Sequence, residues 1–277
     1  MPTDPPIALV TGPTAGIGRA FAHALAERGH DLVLVARDKQ RLDELAAELH
    51  QKYAAGVEVL PADLADRTSL EVVEDRLADT TKPVGMLVNN AGFGLRHRFL
   101  ENDVETEQQM LDVLVTAVLR LSHAAAGRMA AHDGGSIVNV SSVAGFLPRG
   151  TYSAAKAYVT SFTRWLDLTY RDRGVRAMAL CPGFVRTEFH ERMGVGAGSA
   201  PRWMWLDADR LVCDALTDLE RGRSLSIPSR RYKVLSSLAR STPLSLKWRF
   251  QDLGRKQPPQ PTAPEGVRRR GRSRTPG

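Results

Sequence analysis

Short apolar runs alternate with amphipathic stretches along most of this chain. The runs are "IALVTG" (7–12), "DLVLVAR" (31–37), "GVEVLPAD" (56–63), "GMLVNNAG" (85–92), "GSIVNVSS" (135–142), "GVRAMALCPG" (174–183) and the shorter "SLSIP" (224–228). Each is long enough for a buried strand and short for a helix. Between them, "AGIGRAFAHALAERG" (15–29) and "DKQRLDELAAELHQKY" (38–53) carry apolar residues at helical spacing. Helices are likewise expected over 67–80, 103–132, 152–172 and 207–221. Strand–helix alternation of this kind predicts an α/β fold, a doubly wound parallel sheet of about seven strands with helices on both faces. No internal repeat at a period of about 20–50 residues competes with that reading. Residues 190–206, "HERMGVGAGSAPRWMWL", break the rhythm and read as a mobile loop over a substrate.

Composition sets the remaining bounds. The chain has 277 residues, 43% of them hydrophobic, which suffices for one sizeable core. We expect a single domain over 1–254. Cys181 and Cys213 show no disulfide or metal-ligand spacing, so a reducing, cytoplasmic setting without a bound metal is expected. The N-terminal "MPTDPPIALVTG" lacks the features of a signal peptide, and no uninterrupted apolar run approaches the ~20 residues of a membrane span. The net charge of +7 is uneven: residues 255–277 hold seven Arg/Lys and one Glu. That Pro-, Gly- and Arg-rich tail is expected to be disordered. Such a tail can meet nucleic acid or anionic lipid, but with no aromatic platform nucleic acid is an improbable partner. A solvated extension is the simplest expectation.

In doubly wound sheets ligands bind at the carboxyl ends of the strands. After the first run, Gly12, Gly16 and Gly18 allow a tight turn and close approach to a pyrophosphate at a helix N-terminus. After the second run comes Ala36-Arg37, with no carboxylate to repel a ribose 2′-phosphate and an Arg to receive it, which points to NADP rather than NAD. Asp63, Asn89–Gly92, Ser141-Ser142 and "PGFVRT" (182–187) close the later runs. Tyr152 and Lys156 share one helix face at i, i+4. An ammonium there would lower the phenol pKa and make a usable proton donor.

These motifs, in this order over about residues 7–230, resemble the classical short-chain dehydrogenase/reductase family. The resemblance implies Tyr152 as general acid/base, Lys156 as its pKa modifier and ribose contact, and Ser142 as hydrogen-bond partner of the substrate oxygen. It implies a cofactor site made of Gly12, Thr14, Gly16, Ile17, Gly18, Arg37, Asp63 (adenine), Asn90, Ala91, Gly92, Tyr152, Lys156, Pro182, Gly183, Val185 and Thr187 (carboxamide). It also suggests a homodimer or homotetramer through the helices at 103–132 and 151–172. Two departures stand out. In "LDVLVTAVL", Leu114 occupies the place of the family's catalytic Asn, and only ten residues separate Ser142 from Tyr152 where about thirteen are usual.

The residues expected at the cleft mouth are largely apolar: Phe93, Phe146, Leu147, Phe184, Phe189, Trp203, Met204 and Trp205. A hydrophobic carbonyl/alcohol substrate follows. Arg96, His97 or Arg98 could meet an anionic group. The alternative to an NADP(H)-dependent oxidoreductase is a dinucleotide-binding sensor or scaffold with weak or no catalysis.

Overall fold

A computed structural model describes residues 5–187 and 201–241. Phe189, residues 190–200 of the expected lid, and the expected tail at 255–277 lie outside the described residues, as does the stretch 242–254. Seven strands form one sheet in the order β3-β2-β1-β4-β5-β6-β7. They are β1 (Ile7–Thr11), β2 (Asp31–Ala36), β3 (Val57–Pro61), β4 (Val84–Asn89), β5 (Gly135–Val140), β6 (Val175–Leu180) and β7 (Leu225–Ser226). Every pairing is parallel. The chain reverses its winding direction between β1 and β4, and the crevice beyond the carboxyl ends at that point is where ligands bind in such sheets.

Strand side chains alternate between two cores, as the period of two requires. Ala8, Val10, Leu32, Leu34, Val138 and Met178 face α1 (Gly16–Glu27), α2 (Lys39–Tyr53) and α7 (Ala208–Glu220). Leu9, Val33, Val35, Leu87, Ile137 and Ala177 face α3 (Arg67–Ala78), α5 (Ala117–Ala131) and α6 (Thr151–Tyr170). Aspartates start four helices by accepting from a backbone N–H three residues on: Asp38 from Arg41, Asp66 from Ser69, Asp103 from Thr106 and Asp207 from Arg210.

Three features lie beyond what the sequence reading described. The helical region expected over 103–132 is α4 (Val104–Leu111) and α5 joined by a π turn at Asp112–Thr116. As one continuous helical stretch, Val104–Ala131 is long and apolar enough to cross a membrane by length and composition alone, which inspection of uninterrupted apolar runs does not reveal. Its Ala117, Leu121, Ala125 and Met129 pack in the core against the sheet. Beyond β7 the chain forms α8 (Arg230–Ser241), a helix that its polar, basic composition conceals.

Candidate active site

The turn after β1 is held by close contacts that only glycine permits. Gly12 and Gly16 have φ of +64° and +54°, in the left-handed region. A Cβ at Gly18 would collide with the Gly12 carbonyl, and one at Gly16 would lie 2.7 Å from Thr187 Cγ2. The "PGFVRT" segment after β6 is therefore folded back over the glycine turn. Ala15, at the N-cap of α1, supplies no side-chain cap, so the first amides of α1 are available to an anion.

Asn90 ties this turn to the end of β4. Its Nδ2 donates to the Thr11 and Gly12 carbonyls, each at 3.0 Å, and the Thr11 hydroxyl accepts from the Asn90 and Ala91 amides, also at 3.0 Å. The Asn90 amide group is thus committed to holding the cleft. Below it, Asn89, Ser122, Asn139 and Thr163 form a buried network. Asn89 Nδ2 donates to Asn139 Oδ1 at 2.9 Å, and Asn139 Nδ2 donates to Thr163 Oγ1 at 2.9 Å, linking β4, β5 and α6.

At the end of β2, Arg37 Nη1 lies 4.0 Å from Asp63 Oδ2, with the guanidinium largely exposed. One turn into α2, Arg41 donates to the Thr14 carbonyl at 3.0 Å. Arg41 was not singled out from sequence. Its place in the first turn of the helix that follows the second strand is the signal that could have found it. Of the remaining expected contacts, Pro182 accepts from the Val143 amide at 3.0 Å, and Val185 turns its side chain into the core, pairing with Leu206.

Gly183 lies against the Tyr232 ring of α8, which leaves no room for a side chain at 183. Tyr232 accepts from the Phe184 amide at 3.0 Å and donates to the Met204 carbonyl at 2.7 Å. Phe184 and Trp205 pack at 5.5 Å between ring centroids. Together with Val143 and Phe146 these residues form a largely apolar wall beyond β6.

Tyr152, Ser142 and Lys156 converge at the end of β5. The Ser142 hydroxyl accepts from the Ala144 amide at 3.1 Å and lies near the Tyr152 hydroxyl. Lys156, only 5% exposed, donates from Nζ to the Val140 carbonyl at 2.7 Å and stands 5.8 Å from the Tyr152 ring centroid. Ser141 is turned inward, donating to the Lys156 carbonyl at 2.7 Å and pairing with Thr160 at 2.8 Å. Of the two serines, Ser142 alone acts on the Tyr152 hydroxyl.

Desolvation sets the net direction of the Tyr152 shift, which is upward where the sequence suggested a lowered pKa. Burial among protein atoms pushes Tyr152 up to about 12, with the neighbouring Ser142 hydroxyl opposing that rise. Burial likewise brings Lys156 down to about 8. The ammonium is bonded to a backbone carbonyl instead of the phenol oxygen, so desolvation dominates.

Leu114 lies in the π turn and is 1% exposed. It packs with Met110 and Ala155 in a cluster that Phe93, Leu95 and Tyr152 border. π turns recur where a helix passes a functional site. Here the turn brings an apolar side chain against the Tyr152 ring.

With this geometry in view, the comparisons with known proteins are decisive on family. The model of the short chain dehydrogenase family matches residues 6–195. The chain is a short-chain dehydrogenase/reductase. This dehydrogenase is 37% identical to a short-chain dehydrogenase from Sphingobium yanoikuyae solved in complex with NADPH, with a TM-score of 0.78, covering 84% of this chain and 92% of that one. It is 35% identical to a bulky-bulky ketone specific alcohol dehydrogenase from Comamonas testosteroni, with a TM-score of 0.75, covering 85% and 92%. It is also 33% identical over 190 residues to the very-long-chain 3-oxoacyl-CoA reductase of Anas platyrhynchos; the match covers 65% of this chain and only 60% of the reductase.

Proposed function

We propose that this short-chain dehydrogenase/reductase is an NADP(H)-dependent enzyme that interconverts a hydrophobic ketone or aldehyde and its alcohol. The observation that carries the reading is the convergence of Ser142, Tyr152 and buried Lys156 at the strand end next to the glycine turn. The turn fits a dinucleotide: its glycines leave no side chain over the cradle, and α1 begins with uncapped amides. Arg37 and Arg41 support a 2′-phosphate at the neighbouring corner. A bound nicotinamide would supply or accept the hydride.

The protein's own part is orientation and the proton. Ser142 would donate to the carbonyl oxygen and hold it beside Tyr152. A phenol raised to about 12 is fully protonated at neutral pH, so Tyr152 is ready to give its proton to the alkoxide oxygen as the alcohol forms. Lys156, still mostly ammonium at neutral pH, would stabilise the transient phenolate. In the reverse direction the same group takes the alcohol proton, and the charge on Lys156 offsets the cost of ionising the phenol.

The apolar wall of Phe146, Phe184, Met204 and Leu206 supports a substrate with bulky hydrocarbon on at least one side of the carbonyl. The ketone preference printed for the Comamonas enzyme points the same way. The exposed aromatic and aliphatic face of α6, with Tyr158, Trp165 and Leu168, supports association of identical subunits. The test of the activity is NADPH oxidation with a panel of aryl and branched ketones beside small polar aldehydes. NADPH binding without turnover across the panel would assign the chain to dinucleotide sensing instead.

A further inference from the structure

The outer face of α8 sets exposed apolar side chains among basic ones. Tyr232 and Ser236 point inward and are buried, while Val234 and Leu238, one turn apart, are each 60% exposed, with Leu235 beside them. Arg230, Arg231 and Lys233 flank that apolar stripe, and all three are exposed. Arg231 donates to the Trp203 carbonyl, and Trp203, 54% exposed, therefore stands against the same face. This surface lies next to the apolar wall of the cleft, because Tyr232 clamps Phe184 and Met204 from below.

Charge is segregated along the chain in the same sense. Residues 1–228 hold 25 Lys/Arg against 29 Asp/Glu, whereas residues 229–277 hold 13 against 2. A catalytic body of slight negative charge thus ends in a strongly basic segment that begins with α8. An apolar stripe edged by arginines is the chemistry that seats a helix in the interface of an anionic bilayer, with side chains among the upper acyl carbons and cations at the headgroups. A second copy of the chain is disfavoured as occupant, since two basic segments would then face each other. Nucleic acid fits less well, because Val234, Leu235 and Leu238 offer no surface on which bases stack.

We propose that the outer face of α8, together with Trp203, docks on anionic lipid surfaces and holds the mouth of the cleft against the bilayer, where hydrophobic carbonyl compounds dissolve. The docking is a property of the surface and is measured without turnover, so it stands or falls separately from the proposed reaction.

The experiment is co-sedimentation of the full chain with vesicles of phosphatidylcholine alone or with roughly 30 mol% phosphatidylglycerol, at low and at physiological ionic strength. Binding to the anionic vesicles is expected to be at least about tenfold tighter and to weaken with added salt. The double variant Val234→Ser/Leu238→Ser should lose at least about fivefold in binding, since each side chain withdraws several buried carbons from the membrane. Leu235→Ser alone should weaken binding to a smaller degree. Val72→Ser, an exposed apolar residue on α3, should bind like the wild type. Equal binding to neutral and anionic vesicles would overturn the proposal. So would full retention of anionic binding by the double variant, or displacement of the bound protein by short duplex DNA at equal phosphate concentration.

Discussion

Leu114 and Gly92 are fitted to each other across the cleft: a Cβ placed on Gly92 would stand 2.7 Å from Leu114 Cδ2 and 3.9 Å from Lys156 Nζ. The leucine fills the space beside the lysine, and the glycine is what lets it do so. Leu114→Asn would set an amide among Met110, Ala155, Phe93 and Tyr152, none of which offers it a side-chain partner there apart from the Tyr152 hydroxyl. An unsatisfied buried amide costs about 1–3 kcal/mol. We expect a lower Tm and no gain in kcat. A clear rise in kcat with unchanged Tm would mean that the site lacks only the amide and has not been rebuilt around the leucine.

Tyr152→Phe removes one oxygen and keeps the ring that packs against Leu114. NADPH affinity, measured by quenching or calorimetry, should be nearly unchanged while carbonyl reduction almost disappears. A variant that retained more than about a tenth of kcat, a barrier change below about 1.4 kcal/mol, would remove Tyr152 from the role of proton donor.

Much of this candidate site is legible in the sequence, because strand ends converge by the rules of parallel sheets. Gly12, Asn90, Ser142 and Thr187 are far apart in sequence, yet each follows a strand, so the sheet brings them together. What sequence could not give was the packing between those ends. Lys156 finds the Val140 carbonyl, Thr187 settles over Gly16, and Tyr232 closes over Gly183, and each contact joins segments with no local pattern in common. The upward direction of the Tyr152 shift is hidden from the sequence for the same reason: i, i+4 spacing places the ammonium near the ring but says nothing of the carbonyl that captures it. The π turn at 112–116 left no mark in the apolar periodicity, and α8 hid behind its charge.

The proposed preference for NADP(H) rests on Arg37 and Arg41. The wild type should favour NADPH over NADH in kcat/KM. Arg37→Asp would put a carboxylate beside Asp63 and face a 2′-phosphate with two negative charges. A charge-assisted hydrogen bond contributes about 1.5–3 kcal/mol, so kcat/KM for NADPH should fall roughly tenfold to a hundredfold and the preference should invert. Arg41→Ala should lower NADPH affinity without affecting NADH, and a further loosening of the Thr14 turn would register as lower Tm. A wild type that prefers NADH would overturn the assignment of both arginines.

Lys156 leaves a signature in the pH dependence of stability, and its sign follows from burial. The folded pKa of about 8 lies below the unfolded value of 10.5. Below pH 8 both states carry the charge, and the folded state bears the cost of burying it. Between pH 8 and about 10.5 the unfolded chain binds the proton and the folded chain does not, so this group alone makes stability rise with pH. Tyr152 and Cys181, both raised by burial, act oppositely once the unfolded phenol and thiol ionise. The lysine contribution is therefore isolated as a difference between two proteins that share those groups. Urea unfolding of the cofactor-free wild type and of Lys156→Met, followed from pH 7 to 10, should show the wild type gaining on the variant as pH rises through 8, by a total on the order of 2–3 kcal/mol. A difference that stayed constant across this range would mean that the Val140 carbonyl holds the ammonium strongly enough to keep its pKa near the ordinary value. The lysine would then remain fully charged at every pH where the enzyme works.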